Sequence, residues 1–419
     1  MMRILFVLDS VEAPAAANPR LGRRLAAALA AAGQEIHLLE LWDGETPPPA
    51  AAGLPRHQLA FADERQMNRA LENGAKQGSP LPVRLARLAV QPAALAAAFR
   101  QLVLHRPRRV TDTRREIERL DRALHFDAVC AVCAPYRAAF ALEQAEIGGK
   151  KLLWQMDPYA ANRSYAAPGG WERERQLLGA MDAVFIMSTA APDFAPGAPL
   201  ADFAHKAQVL GLPCLLPAGG GPSPHEGLRC TFVGTFYPGL REPTGALRLF
   251  AALNRPDVTL TLAGPGMEPF DTAACRAVMG DRLCIPGPVP ADRGRRLQTE
   301  ADVLVNLGNA VDNQIPSKLF EYLGSGKPIL HLAASPTDPT LPLLARYPLA
   351  LTLLPDQWTE EAALQTAAAW LDRWLSETAG RRVAFETVAA LYPEQLPETA
   401  AAQFLAKTEQ CVRKGGPRA

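Results

Sequence analysis

The stretch Asp312-Asn313-Gln314-Ile315-Pro316-Ser317-Lys318-Leu319-Phe320-Glu321-Tyr322-Leu323-Gly324-Ser325-Gly326-Lys327-Pro328-Ile329-Leu330-His331 decides how the chain is read. Ahead of it, Ala301-Asp302-Val303-Leu304-Val305-Asn306-Leu307 is β-branched and leucine-rich and suits a buried strand; after it, Pro328 to Leu332 reads as another. Strand, loop, helix, strand is the pattern of a parallel sheet. Pro316 cannot continue a helix upstream, Ser317 is a capping residue type, and Gly324 and Gly326 supply the permissive backbone that ends a helix. The spacing therefore predicts a helix of about two to three turns. Leu319, Phe320 and Leu323 fall on one apolar face, and Ser317, Lys318 and Glu321 share another.

A helix that starts just beyond the carboxyl end of a parallel strand points its N–H groups and positive end into the crevice where open α/β sheets bind ligands. An anionic diphosphate suits that place. Lys318 adds a point charge there, and Glu321, one turn in, accepts hydrogen bonds from two vicinal hydroxyls of a ribose. The same two residues also read as an exposed i,i+3 pair worth roughly 0.2–0.5 kcal/mol. Pro316-Ser317-Lys318-Leu319-Phe320-Glu321-Tyr322, followed by Gly326-Lys327-Pro328-Ile329, resembles the nucleotide-binding helix of retaining glycosyltransferases of the GT-B fold. Within that fold it is most similar to the family-four-like enzymes of bacterial polysaccharide assembly, over roughly twenty residues. The resemblance implies that Glu321 holds the ribose and that an acidic residue eight positions earlier contacts the donor sugar. Here that position is Asn313, with Asp312 beside it, a departure that bears on which sugar is used.

At 419 residues the chain accommodates two domains of ordinary size. Lys+Arg 44 against Asp+Glu 43 leaves a net charge of +1, so no nucleic-acid partner is expected. The apolar start Met1 to Leu8 stops at Asp9, too soon for a signal-peptide core, and no run approaches the ~20 apolar residues of a membrane span, so a cytosolic protein is expected. Seven cysteines without framework spacing agree with a reducing compartment. Cys130 and Cys133 lie in a strand run, Ala128 to Cys133, which turns them to opposite sides and makes them buried small hydrophobes rather than a metal or redox pair. Asp-x-Asp, the motif with which glycosyltransferases of the other common fold hold a divalent cation, does not occur. Neither a metal ion nor a cofactor is expected; a nucleoside diphosphate sugar is the donor substrate that the resemblance implies.

Arg3–Leu8, Leu21–Ala32 and Glu35–Leu41 form a strand, helix, strand opening. It lacks Gly-x-Gly-x-x-Gly, which argues against a dinucleotide oxidoreductase. Asp9, Arg20, Gly22 and Arg23 follow the first strand, where they would meet a polar acceptor or the donor phosphates, or solvate the helix start. Residues 50–120 read as an insertion. Within it Arg84, Arg87, Arg100, Arg106, Arg108, Arg109, Arg114 and Arg115 interleave with leucines and other apolar residues. Such a stretch lies on an anionic membrane surface, at about 1 kcal/mol per cation, or forms a solvated helix pair packed through its leucines. The first alternative suits a lipid-linked acceptor and a position at the inner membrane face. Three further strands, Phe126–Ala134, Lys150–Met156 and Ala183–Met187, alternate with helices. Asp157 follows the second of them directly and should face the cleft, where the resembling enzymes place Asp or His to orient the acceptor; Asp157-Pro158 also reads as a turn starter.

Pro213, Pro217, Gly219-Gly220-Gly221, Pro222 and Pro224 mark a flexible linker. The expected organisation is an α/β acceptor-side domain over 1–218, a nucleotide-sugar-binding domain over 228–385, and a segment 386–419 whose helix returns to the N-terminal domain. Two Rossmann-like domains facing across a cleft is the GT-B arrangement that the resemblance implies, with Trp370 and Trp374 as the packing stripe of the terminal helices. In the second half, Gly234-Thr235 ends the strand Arg229–Val233 where the resembling families have Gly-Arg. Arg241 is then the cation for the diphosphate, since a guanidinium binds it in bidentate fashion. Gly264 allows close backbone approach to a ligand, and Val289 aligns with the family segment whose backbone reads the nucleobase. The expected activity is transfer of a sugar to a glycan or lipid-linked acceptor. A sugar-nucleotide 2-epimerase on the same fold, or a non-catalytic glycosyltransferase-like subunit suggested by Asn313 and Thr235, remain the rival readings.

Overall fold

Buried, β-branched runs separated by alanine- and leucine-rich helices build two parallel sheets, one in each of two units. The computed structural model describes residues 1–9, 17–42, 53–61, 92, 96, 108–162, 167–312 and 315–414. One unit comprises Met1–Pro213 with Pro397–Ala419, and the other Cys214–Leu396.

The first unit runs β1 (Arg3–Asp9), α1 (Ala17–Ala31), β2 (Glu35–Trp42), β3 (Arg56–Ala60), α2 (Arg108–Leu124), β4 (Ala128–Cys133), α3 (Arg137–Gln144), β5 (Lys150–Gln155), α4 (Gly170–Gly179), β6 (Ala183–Ile186) and β7 (Ala207–Val209). Its strands pair in the order β3-β2-β1-β4-β5-β6-β7, all parallel. Central strands covered on both faces must be apolar throughout, and β1 and β4 are buried along almost their whole length. Leu5 and Val7 join Val129, Ala131 and Cys133 in one core; Cys130 is also fully buried but is not part of that cluster, as the strand alternation requires. Burial pushes both thiols up.

The second unit runs β8 (Leu228–Val233), α5 (Thr244–Ala252), β9 (Val258–Ala263), α6 (Ala273–Met279), β10 (Leu283–Gly287), α7 (Ala291–Glu300), β11 (Val303–Leu307), α8 (Lys318–Gly324), β12 (Ile329–Leu332), α9 (Leu341–Leu344), β13 (Ala350–Leu353), α10 (Asp356–Thr359), α11 (Glu361–Thr378) and α12 (Phe385–Leu391). Its strands pair in the order β10-β9-β8-β11-β12-β13, again parallel. In each sheet the strand order reverses at one place, between β1 and β4 and between β8 and β11. Such a reversal opens a crevice outside the carboxyl ends of the two strands.

The segment past Pro213 is bonded to the second unit: the Leu215 N–H donates to the Gln395 carbonyl at 3.1 Å and the Ala218 N–H to the Gly324 carbonyl at 3.2 Å. The helix Phe385–Leu391 belongs to the second unit, and the chain rejoins the first at Pro397. There α13 (Pro397–Lys414) lies against α1, and Phe404 stacks on Phe185 with centroids 4.5 Å apart and tilts over Phe6 at 5.5 Å. Trp370 and Trp374 are on α11 in the second unit instead. Trp374 packs against its core, whereas Trp370 is 43% exposed, so the tryptophan pair does not form the expected packing stripe. No helix among the described residues is long and apolar enough to cross a membrane.

Candidate functional site

Helix α8 follows the β8/β11 reversal and has seven residues. Leu319, Phe320 and Leu323 are fully buried, while Ser317, Lys318 and Glu321 are half-buried, which is the division of faces their spacing predicts. Ser317 does not cap: its backbone is already helical at φ −59° and ψ −23°, and its side chain makes no capping bond. The turn closes on itself, the Leu319 N–H donating to the Pro316 carbonyl at 3.0 Å and the Phe320 N–H to the Ser317 carbonyl at 3.2 Å. A helix this short carries a small dipole, so charged side chains supply most of the local field.

The Lys318 ammonium reaches the carbonyl of Val233, the last residue of β8. Gly234-Thr235 follows, and here three strand-end turns meet backbone to backbone. The Gly234 N–H donates to the Ala263 carbonyl and the Gly264 N–H to the Gly287 carbonyl, both at 2.9 Å. Gly264 has φ +145°, and a Cβ at this position would sit 1.7 Å from the Gly234 carbonyl oxygen. Gly264→Ala is therefore expected to cost about 3 kcal/mol or more, read as a lowered melting temperature; an unchanged melt would show that the turn relaxes. Val289 is half-buried at the head of α7, and a Cβ on Gly294 would lie 3.8 Å from Val289 Cγ2 and 3.2 Å from Val233 Cγ1.

Arg241 closes a tight hairpin: its N–H donates to the Tyr237 carbonyl at 2.8 Å and its carbonyl accepts from the Tyr237 N–H at 2.9 Å. The guanidinium Nε donates to Asn309 Oδ1 at 3.0 Å, and Nη1 leans toward the Thr235 carbonyl at 3.5 Å. Burial lowers the Arg241 pKa, against which the Tyr237 and Tyr322 hydroxyls act to raise it. Burial also pushes the Tyr322 phenol up to about 12, with the Glu321 carboxylate raising it and the Arg241 guanidinium lowering it. The structure gathers Gly234, Thr235, Arg241, Lys318 and Glu321 beside the β8/β11 reversal, with Gly264 and Val289 next to them. Asn313 lies outside the described residues. Asn309 was not singled out by sequence reasoning; its only signal was its place two residues past β11, in a strand-end turn.

In the first unit, Asp157 follows β5 by two residues. Its Oδ2 accepts from Asn18 Nδ2 at 2.9 Å, and its carbonyl accepts from the Tyr136 hydroxyl at 2.6 Å. Burial raises its pKa and the Asn18 bond opposes the rise. Behind it, the buried Glu174 accepts from the Ala160 N–H at 2.9 Å and the Tyr159 N–H at 3.3 Å and is also bonded to Gln155, so it holds the loop that carries Asp157. Burial raises the Glu174 pKa as well. Glu174 and Gln155 escaped the sequence reading because nothing along the chain marks a buried carboxylate.

Asp9 ends β1 at the first reversal, but its side chain is fully buried. Arg109 Nη1 donates to its Oδ1 at 2.9 Å, and Arg137 Nε lies 3.5 Å from Oδ2. Arg23 and Arg56 are drawn in the same way to the buried carboxylate of Glu40, each with an Nε bond, at 2.6 and 2.7 Å. The end of the basic stretch is likewise engaged within the unit. Arg109 is buried over the Phe61 ring, Arg114 pairs with Glu118 and Arg115 with Asp112, and Val110, Ile117 and Leu120 of α2 face the core. Residues 84–91, 93–95 and 97–107 lie outside the described residues.

No protein-family profile and no curated protein matches the sequence. Solved structures do match along nearly the whole chain. Anabaena HepE, solved in complex with UDP and glucose, is 14% identical, with 98% of this chain and 100% of that one covered at a TM-score of 0.59. Sucrose-phosphate synthase from Thermosynechococcus elongatus is 13% identical over 98% and 99%, also at 0.59. The fold is GT-B. The GT-B neighbours also include UDP-GlcNAc 2-epimerase from Neisseria meningitidis bound to UDP-GlcNAc, 9% identical over 98% and 100% at 0.54. At these identities the likeness is one of architecture alone.

Proposed function

We propose that the chain is a glycosyltransferase that moves a sugar from a nucleoside diphosphate sugar to a glycan or lipid-linked acceptor, with retention of configuration and without a metal ion. The observation that carries this reading is the convergence of Lys318 and Arg241 on the backbone that ends β8, at the β8/β11 reversal of a GT-B chain, with Glu321 in the first turn of α8. The cations would stabilise charge that grows on the departing diphosphate, which is the main electrostatic demand of the reaction. Glu321 would accept hydrogen bonds from the ribose hydroxyls, the turns at Gly234, Thr235 and Gly264 would let phosphate approach the backbone, and Val289 would border the base. The Pro316–Ser317 turn would contact the diphosphate, and Asn313 the sugar. Asp157, held by Asn18, would orient the acceptor hydroxyl. Asp9 was the other acceptor-side candidate; its engagement with Arg109 and Arg137 favours a supporting role at the end of β1. A lipid-linked acceptor also suits cytosolic, peripheral membrane contact through Arg84, Arg87, Arg100 and Arg106.

The epimerase reading draws its support from the epimerase neighbour. It needs acid and base groups around the sugar in addition to the diphosphate cations. Incubation of the purified protein with UDP-, GDP- and dTDP-sugars separates the readings. Slow release of free nucleotide is expected; an isomerised sugar nucleotide would establish the epimerase, and binding to none would indicate a non-catalytic subunit.

A further inference from the structure

We infer that Asn309 is a positioning residue that selects which edge of the Arg241 guanidinium is offered to the donor diphosphate, an inference that rests on the donor reading above. A guanidinium pairs with phosphate oxygens either side-on, through Nε and one Nη, or end-on, through both Nη groups. In this chain Nε is already committed, donating to Asn309 Oδ1 at 3.0 Å. Nε–H can only donate, so the carbonyl end of the Asn309 amide must face it, and the orientation of that amide is settled by its partner. The side-on edge is thereby closed and the end-on fork is left. Nη1 lies 3.5 Å from the Thr235 carbonyl, a long contact that a phosphate oxygen would outcompete.

The surroundings hold this arrangement from both sides. The Arg241 backbone exchanges two bonds with Tyr237, and the Ala310 N–H donates to the Leu240 carbonyl at 2.8 Å, which ties the hairpin to the turn that carries Asn309. Asn309 is itself only 5% exposed. On the other side, the Gly308 N–H donates to the Leu332 carbonyl at 2.9 Å, and a Cβ on Gly308 would come within 2.3 Å of Asp338 Oδ2. Asp338 is buried and fixed in turn: its Oδ1 accepts from the Thr340 N–H at 2.9 Å and the Thr340 hydroxyl at 2.7 Å, and His331 Nε2 lies 3.3 Å from Oδ2. A long arginine would otherwise lose rotamer freedom each time a donor bound; prior anchoring removes much of that cost.

The test compares Asn309→Ala, which deletes the acceptor, with Asn309→Asp, which keeps an acceptor but places a negative charge against the guanidinium. Titration calorimetry would use UDP, GDP and dTDP, each beside its monophosphate, with a melting curve for every variant. For the diphosphate that the wild type binds, Asn309→Ala is expected to weaken affinity roughly tenfold and Asn309→Asp up to roughly a hundredfold. Monophosphate affinity should change less, so the diphosphate-to-monophosphate ratio falls. A purely structural role would lower the melting temperature and leave that ratio alone. Should a variant fail to fold, Asn309→Ser stays polar, but its hydroxyl is one atom shorter than the amide oxygen that Arg241 Nε meets, so it carries the same expectation as Asn309→Ala. Diphosphate affinity lost in Arg241→Ala but unchanged in the folded Asn309 variants would overturn the inference while the donor reading stands. A wild-type protein that binds none of the three diphosphates would overturn the donor reading, and the inference with it.

Discussion

Asp9→Ala should destabilise the first unit by about 3–5 kcal/mol, because removing the carboxylate of a buried ion pair takes away an opposite charge that the buried guanidinium faces at contact distance. Arg109, 1% exposed in its side chain, would lose the carboxylate at 2.9 Å, and Arg137 would lose the same carboxylate at 3.5 Å. The cation–π contact of Arg109 with Phe61, 4.6 Å from the ring centroid, is already made in the wild type and supplies no opposite charge in place of the carboxylate. A fall in Tm on the order of 10 °C is expected for the transition of this unit. A melt indistinguishable from wild type, combined with lost transfer, would return Asp9 to a direct role in chemistry. Asp9→Asn keeps the volume and should fall between the two, since the amide oxygen still accepts one bond from Arg109 but carries no charge.

The second large effect is expected at Glu321. Glu321→Gln should weaken nucleoside diphosphate binding by roughly 10- to 100-fold, the range that follows from losing hydrogen bonds made by a charged acceptor. A carboxylate accepts from both ribose hydroxyls through two oxygens, whereas the amide offers one acceptor and two donors to the same pair. The substitution removes charge without removing volume, and Glu321 is only half-buried, so the melting temperature should stay close to wild type. A 2′-deoxynucleotide should show a smaller difference between wild type and variant than its ribose counterpart. Equal affinities in the two proteins, with both folded, would remove Glu321 from the ribose and leave it a half-buried carboxylate with a role inside the fold.

Much of the architecture was legible along the chain. The strand predicted over Arg229–Val233 is β8 with one residue added at its start, and β11 and the buried face of α8 lie where apolar periodicity puts them. These features depend on residues a few positions apart, whose spacing alone decides which side chains share a face. The strand-end glycines were legible for the same local reason, although the backbone that Gly264 meets was not.

What escaped the sequence involves partners far apart in it. Asp9 and Arg109 are a hundred residues apart, Arg241 and Asn309 sixty-eight, and both pairs exist because parallel β-strand topology brings turns from distant segments to one end of a sheet. Ser317 looked like a cap because its residue type favours one, yet the Pro316 turn had already made its backbone helical. Residue type and spacing by themselves determined the alternation of strands and helices, the apolar face of α8 and the candidate residues at the strand ends. Only the tertiary structure decided which charges are consumed inside the fold and which are held at a reversal point, since burial and pairing are properties of the assembled sheets and cannot be read from any one stretch.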